Sequence, residues 1–294
     1  MGVEPEIQKD AYKIRKREFR DLKTSWIEAG DADKPILLFL HGFPDSAETW
    51  KHQLEFFKND YHVICPFVRG ALPSDPAENL PRYSTKSEAL DVLQLLKAVD
   101  PKHARKVVVV GHDMGTPLAW KLAGLLSNRL AGLVILNGLS LEQMRMRLRK
   151  RPKQWMKSWY IFPMLVPFLP EFLCSHFPKQ LMERARKSGG FPVDESNAKD
   201  YAQQFIIGPL NQYRAFTREL IRGDKTPKVY APTLVLWSNR DHYLLHPTLE
   251  ELEPFCTNVS VRILEGQHWV HHDRPAVFNE ILEDFLRGCF HARQ

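Results

Sequence analysis

Val107-Val108-Val109-Val110-Gly111-His112-Asp113-Met114-Gly115 is the stretch that decides the fold. Four valines in a row predict a short strand covered on both faces. Gly111 to Gly115 then reads G-x-D-x-G, a sharp turn. Thr116-Pro117-Leu118-Ala119-Trp120 opens a helix. Strand, elbow and helix in that order expose the apex side chain at the end of a sheet, the setting of a nucleophile. The apex here is Asp113, where a serine would be usual. A serine attacks a carbonyl and leaves an acyl group on the protein, whereas a carboxylate attacks saturated carbon and leaves an ester.

Outward from the elbow, the chain alternates strand and helix. Apolar runs at 36–40, 62–65, 133–136, 233–237 and 259–264 predict further strands, and alternating patterns at 12–19 and 23–28 predict two more. Helical signals lie between them. Thr85-x-x-Glu88 reads as a capping box before a Leu/Val stripe. Leu118, Leu122, Leu125 and Leu126 form a second stripe, and Val277, Ile281, Leu282 and Phe285 a third. The expectation is an α/β fold with a mostly parallel sheet of eight strands flanked by helices. The alternation stops between Ser140 and about Arg222. That stretch holds a basic helix (Met144 to Arg151), an aromatic and proline-rich segment, and a polar helix carrying Asn211-Gln212-Tyr213-Arg214. It predicts a helical cap domain over 140–222, inserted into a core domain of 1–139 and 223–294.

Three more features follow predicted strands, where sheets of this kind place their sites. Asp241 follows the run ending at Trp237, and His268 follows the run ending at Leu264. His41-Gly42-Phe43-Pro44 follows Leu40. Taken singly each has a plain reading. Aspartates cap and turn, histidines pack, and His-Gly-x-Pro makes a turn. Taken together they are a nucleophile, Asp113, an acid, Asp241, and a base, His268, in the chain order this topology requires. The loop at 41–44 offers an oxyanion hole from the Phe43 and Met114 N–H groups.

Composition bounds the rest. The chain has 294 residues, 44% hydrophobic and 26% charged, as in ordinary globular proteins. A net charge of +6 is too small to argue for nucleic acid without a motif, and none is present. Cys65, Cys174, Cys256 and Cys289 have no paired spacing, so no disulfide framework or zinc site is expected, and a cytoplasmic setting is. MGVEPEIQKD lacks an apolar signal core, and Glu6 breaks the myristoylation pattern. The apolar stretch from Ile161 to Leu173 is short and holds Pro163, Pro167 and Pro170, so it cannot span a bilayer.

With these residues in place, the chain resembles the α/β-hydrolase-fold epoxide hydrolases from about Phe19 to Arg287. The resemblance rests on HGFPDSAETW (41–50), VVVVGHDMG (107–115), LVLWSNRD (234–241) and GQHWVHHDRP (266–275). It implies that Tyr160 and Tyr213 form a pair that hydrogen-bonds an epoxide oxygen. It implies further that Trp50, His41, Pro44 and Trp269 border a small epoxide substrate, and that no metal or organic cofactor is needed. A monomer or a homodimer is expected. The chain departs from the family pattern at several positions. Met114 stands where a tryptophan is common, Ala47 where an aromatic is, and Ser238 where a glycine is. The loop Phe67 to Ser74 lacks the Asp before Arg69-Gly70 and the second glycine. A haloalkane or haloacid dehalogenase of the same fold is the nearest rival, but Met114 has no side-chain donor for a halide. A silent scaffold is the third reading. In it the basic run from Arg145 to Lys157 lies on a membrane or a partner; the plainer expectation for that run is a solvated lid face, without membrane association.

Overall fold

A computed structural model describes residues 7–9, 12–20, 22–189 and 208–291. Among these residues nine strands form one sheet in the order β1-β2-β3-β5-β4-β6-β7-β8-β9. They are β1 Ile7–Lys9, β2 Tyr12–Phe19, β3 Leu22–Ala29, β4 Ile36–Leu40, β5 His62–Pro66, β6 Val107–His112, β7 Leu130–Leu136, β8 Thr233–Ser238 and β9 Val259–Leu264. The eight expected strands are all present; three-residue β1 adds a ninth at the edge by pairing with β2. Pairing is antiparallel from β1 through β3 to β5 and parallel beyond. Every residue of β4, β5, β6 and β8 is buried, as unbroken apolar runs require. β9 closes the other edge, and its partial exposure explains why its run admits Ser260 and Arg262.

The order of the central strands positions the site. β4 has β5 on one side and β6 on the other, so the connection from β4 to β5 and the one from β5 to β6 run in opposite directions across the sheet, and a crevice opens at the strand ends. In the β4–β6 register Leu40 lies opposite Gly111. The next residues of each strand, His41 to Phe43 and His112 to Asp113, are therefore forced together.

The helices of the outer layers are α1 Lys51–Phe57, α2 Thr85–Val99 and α3 Gly115–Leu126. Between β7 and β8 run α4 Leu141–Lys150, α5 Pro152–Lys157, α6 Ile161–Leu165, α7 Leu169–His176, α8 Pro178–Gly189 and α9 Pro209–Arg222. α10 Leu249–Leu252, α11 Val270–Asp273 and α12 Pro275–His291 complete the chain. The predicted Thr85/Glu88 capping box does not form. Ser84 caps α2, accepting from the Ser87 N–H. The reason is long-range: Thr85 donates both its N–H and its hydroxyl to Glu219 of α9, at 3.0 and 2.8 Å, and Glu88 accepts from Gln212 of α9 at 2.8 Å. Gln212 and Glu219 are seven residues apart and share one face of α9. Two buried polar contacts thus fix α9 to the N-terminal half of α2. Burial pushes the Glu88 carboxyl up to about 8, so it is protonated at neutral pH, as a carboxyl placed near Glu219 should be.

The basic helix α4 does not present its apolar side outward. Met144 is buried, and Met146 and Leu148 pack on the core. Arg147 is also buried, pairing with Glu251 at 2.7 Å below the Trp237 ring. All four cysteines are free. No described helix is long and apolar enough to cross a membrane.

Candidate active site

Asp113 sits at φ +48°, a conformation that L-residues with side chains adopt at a cost. The elbow can tighten to this degree because its surroundings are glycine. A Cβ on Gly115 would fall 2.5 Å from the Leu40 carbonyl oxygen, and one on Gly42 would fall 2.5 Å from the Asp113 Cβ. The two backbones therefore touch, and the Phe43 N–H donates to Asp113 Oδ1 at 2.9 Å. Met114 stands directly before the first residue of α3, where helix N–H groups have no intrahelical acceptor.

His268 lies between two carboxylates. Its Nδ1–H donates to Asp241 Oδ2 at 2.8 Å, and its Nε2 is 3.2 Å from Asp113 Oδ2. The other Asp241 oxygen accepts the N–H groups of Tyr243 and Leu244, at 2.7 and 3.0 Å, which fixes the carboxylate plane. Burial works against a charged His268, but the Asp241 charge and the contact with Asp113 outweigh it and hold the imidazole above its ordinary range. Burial works against Asp113 as well. Hydrogen bonding to His268, its charge and the Phe43 N–H together hold the Asp113 carboxyl below its ordinary value. The structure brings Asp113, Asp241 and His268 together, with the imidazole between the two carboxyl groups.

Tyr160 and Tyr213 reach the same place from the segment between β7 and β8. Their hydroxyls are 3.4 Å apart. Burial first, and the nearby Asp113 charge among the other causes, push both phenols well above the usual tyrosine range, so both are protonated donors. The Tyr213 ring meets the Phe43 ring edge-on at 4.3 Å. Phe43, Cys174, Leu210 and Tyr213 form a small apolar cluster, with Met114, Tyr160 and Ile161 packed against it. The thioether that replaces the common tryptophan thus faces the tyrosines.

The four residues expected to border a substrate fare differently. Trp269 adjoins the row, its ring 4.8 Å from His268, with its indole N–H held by Asp45 Oδ2 at 3.0 Å. Pro44 stays in the loop beside Phe43. His41 is used within the protein: Nδ1–H donates to the Gly42 carbonyl at 3.0 Å, and Nε2 accepts the Val68 N–H at 3.2 Å. Burial pulls its pKa down to about 4, so it is a neutral tie between two loops, with both ring nitrogens occupied. Trp50 is not at the surface of the site. It is fully buried among Phe39, His271 and Phe278. Tyr201, a further tyrosine of the segment, lies outside the described residues.

Several side chains beneath the row escape a sequence reading. Asn137, at φ +44°, donates through Nδ2 to the His268 carbonyl and to Ser238 Oγ, both at 2.7 Å, and accepts the Ser238 N–H. Ser238, in the position of a common glycine, is absorbed by this network. His112 Nε2 also meets the His268 carbonyl, at 3.0 Å. The Tyr243 ring lies between Tyr160 and His268, at 5.3 and 5.0 Å. The one available signal was positional, since Asn137 and Tyr243 follow β7 and β8. Asp45, His112 and His271 are the described group whose donor atoms lie close enough to share a metal ion. Asp45 already accepts from Ser46 and Trp269, so its carboxylate serves a hydrogen-bond network.

The fold and this geometry define an α/β hydrolase. The family model for the alpha/beta hydrolase fold matches residues 35–275, and the chain belongs to that family. It is similar to Epoxide hydrolase 3 of Xenopus tropicalis, 28% identical over 92% of this chain and 76% of the relative. It is also similar to Epoxide hydrolase 4 of Mus musculus, 29% identical over 90% of this chain and 77% of that one. Among solved structures, the epoxide hydrolase of Bacillus megaterium in complex with an inhibitor superposes with a TM-score of 0.78. It is 24% identical, over 92% of this chain and 99% of that one, a likeness of fold.

Proposed function

We propose that this chain is an epoxide hydrolase that converts a small-molecule epoxide to a vicinal diol through an ester on Asp113. The observation that carries the reading is the paired Tyr160 and Tyr213 hydroxyls near the Asp113 carboxyl, with His268 and Asp241 behind it. The relatives' names agree with it. In this reading 140–222 is the cap domain and 1–139 with 223–294 the core. Tyr160 and Tyr213 donate to the epoxide oxygen. Asp113 Oδ2 attacks a ring carbon, the carbon–oxygen bond breaks, and the developing alkoxide takes a tyrosine proton. Asp113 Oδ1, already held by the Phe43 N–H, becomes the ester carbonyl oxygen. Ester formation removes the Asp113 charge that helps to keep His268 protonated. The imidazole then passes its proton to the tyrosinate, which restores the phenol, and takes a new one from water. The water attacks the ester carbonyl, and the Phe43 and Met114 N–H groups hold the oxyanion. The tetrahedral carbon expels the substrate oxygen, which takes the proton of the new Asp113 acid, so the diol leaves and the Asp113 carboxylate returns. The cycle runs on side chains and main-chain N–H groups of this chain, with water.

The test is diol formation from styrene oxide, epichlorohydrin and a long-chain epoxy fatty acid, with Asp113→Ala as control. Diol from the wild type alone is expected. Halide release from haloalkanes with no diol would assign the site to a dehalogenase. Tyr213→Phe deletes one of two donors to the oxygen on which charge develops. It should lower kcat/KM by about 10²- to 10³-fold. An unchanged kcat/KM would remove Tyr213 from the chemistry.

A further inference from the structure

The segment from α5 to α8 carries a surface that the reaction does not use. Sixteen large apolar side chains stand exposed among the described residues, and eight of them fall between Trp155 and Phe177. Such crowding marks an interaction site, where scattered single residues would not. Phe168 is 81% exposed and Met156 76%. Phe168 occupies the turn between α6 and α7 at φ +62°, a conformation that L-residues with side chains adopt at a cost. Trp155 stacks on Phe162 at 5.8 Å and donates its indole N–H to the Leu148 carbonyl. Arg184 of α8 lies 5.7 Å over Trp159. These contacts join α5, α6 and α8 into one face.

The charge around this face is predominantly positive. From Arg149 to Lys187 the chain has nine lysines and arginines against two glutamates, and Glu171 is neutralised by Arg214 at 2.9 Å. Arg149, Lys150, Lys153 and Lys179 are exposed. A second copy of the chain seated on the patch would oppose two basic rims, which repel. A negatively charged bilayer presents the opposite sign and an interface suited to tryptophan and phenylalanine.

We propose that the α5–α8 face docks the protein on an anionic lipid bilayer, with Phe168, Met156 and Trp159 entering the interface and the lysines facing headgroups. The attachment is peripheral. It reverses the sequence expectation of a merely solvated lid. The apolar side of α4 turns inward, and the aromatics that follow it provide the surface instead. The proposal stands independently of the reaction, because its test measures partition and not turnover.

The full chain is sedimented with phosphatidylcholine vesicles, and with vesicles containing about a third phosphatidylserine, in about 0.1 M salt. Pelleting with the anionic vesicles and little with the neutral ones is expected. Lys150→Glu with Lys153→Glu should lower the partition at least about twentyfold. Phe168→Ser with Met156→Ser should also abolish pelleting while leaving turnover of a water-soluble epoxide unchanged. Absence of wild-type pelleting, or equal pelleting by the serine variant, would overturn the proposal. So would a non-pelleting wild-type dimer that the serine variant converts to monomer, which would assign the patch to a second copy.

Discussion

His268→Gln should open an epoxide once and then stop. In the resting site His268 lies between Asp241 at 2.8 Å and Asp113 at 3.2 Å, and both carboxylates favour its charged form. The first chemical step needs Asp113 as an anion and the two tyrosines as donors, so it survives the substitution. The second step needs a base for water, and glutamine has none. Steady-state turnover should fall by about 10⁴-fold. Intact-protein mass should rise by the mass of one epoxide per chain. The pH dependence of labelling should shift too. Contacts with His268 hold the Asp113 carboxyl low, and without them burial draws it upward. The acid limb of labelling should therefore move to higher pH than in the wild type. An active wild type whose His268→Gln variant shows no adduct would remove the ester from the scheme.

How much of this was legible follows from the range of each interaction. The valine run and its glycines are local, and they specify β6 and its turn without help. Asp241 and His268 were legible because each follows its own apolar strand, and parallel pairing brings strand ends to one edge. Side-chain destinations were not legible where the partner is distant in sequence. His41 looks like a site residue beside Gly42, but its Nε2 is taken by the Val68 N–H. Trp50 follows a loop that touches the nucleophile, yet its ring turns into the core against His271 and Phe278. Thr85 and Glu88 have capping-box spacing, but α9 supplies stronger partners for both. Tyr160 and Tyr213, 53 residues apart, entered only through resemblance, since neither pattern nor spacing places their hydroxyls at 3.4 Å. Residues that hold a site from below, such as Asn137, leave no trace in periodicity.

Asp113→Asn separates the chemistry of the elbow from its shape. Asparagine tolerates positive φ about as well as aspartate does, so the turn at φ +48° and the Phe43 contact should persist. Without the carboxylate no ester forms, and turnover should fall by about 10⁵-fold or more. The same substitution tests the ion pair through stability. His268 is raised above its ordinary 6.5 in the folded protein, so its stabilising contribution is complete below that pH and is lost as pH rises through the folded value. Asp113 is depressed, so its contribution is present above its ordinary 3.8 and is lost only in acid. Near pH 6 both contributions operate in the wild type, while asparagine leaves His268 one carboxylate and a smaller shift. The wild-type advantage in Tm should therefore be largest near pH 6 and shrink as pH rises to about 10, where deprotonation of His268 leaves Asp113 buried without its cation. A Tm difference that stays flat over this range would mean that Asp113 and His268 are not ionised together. In that case the nucleophile would lack the charge on which its attack depends.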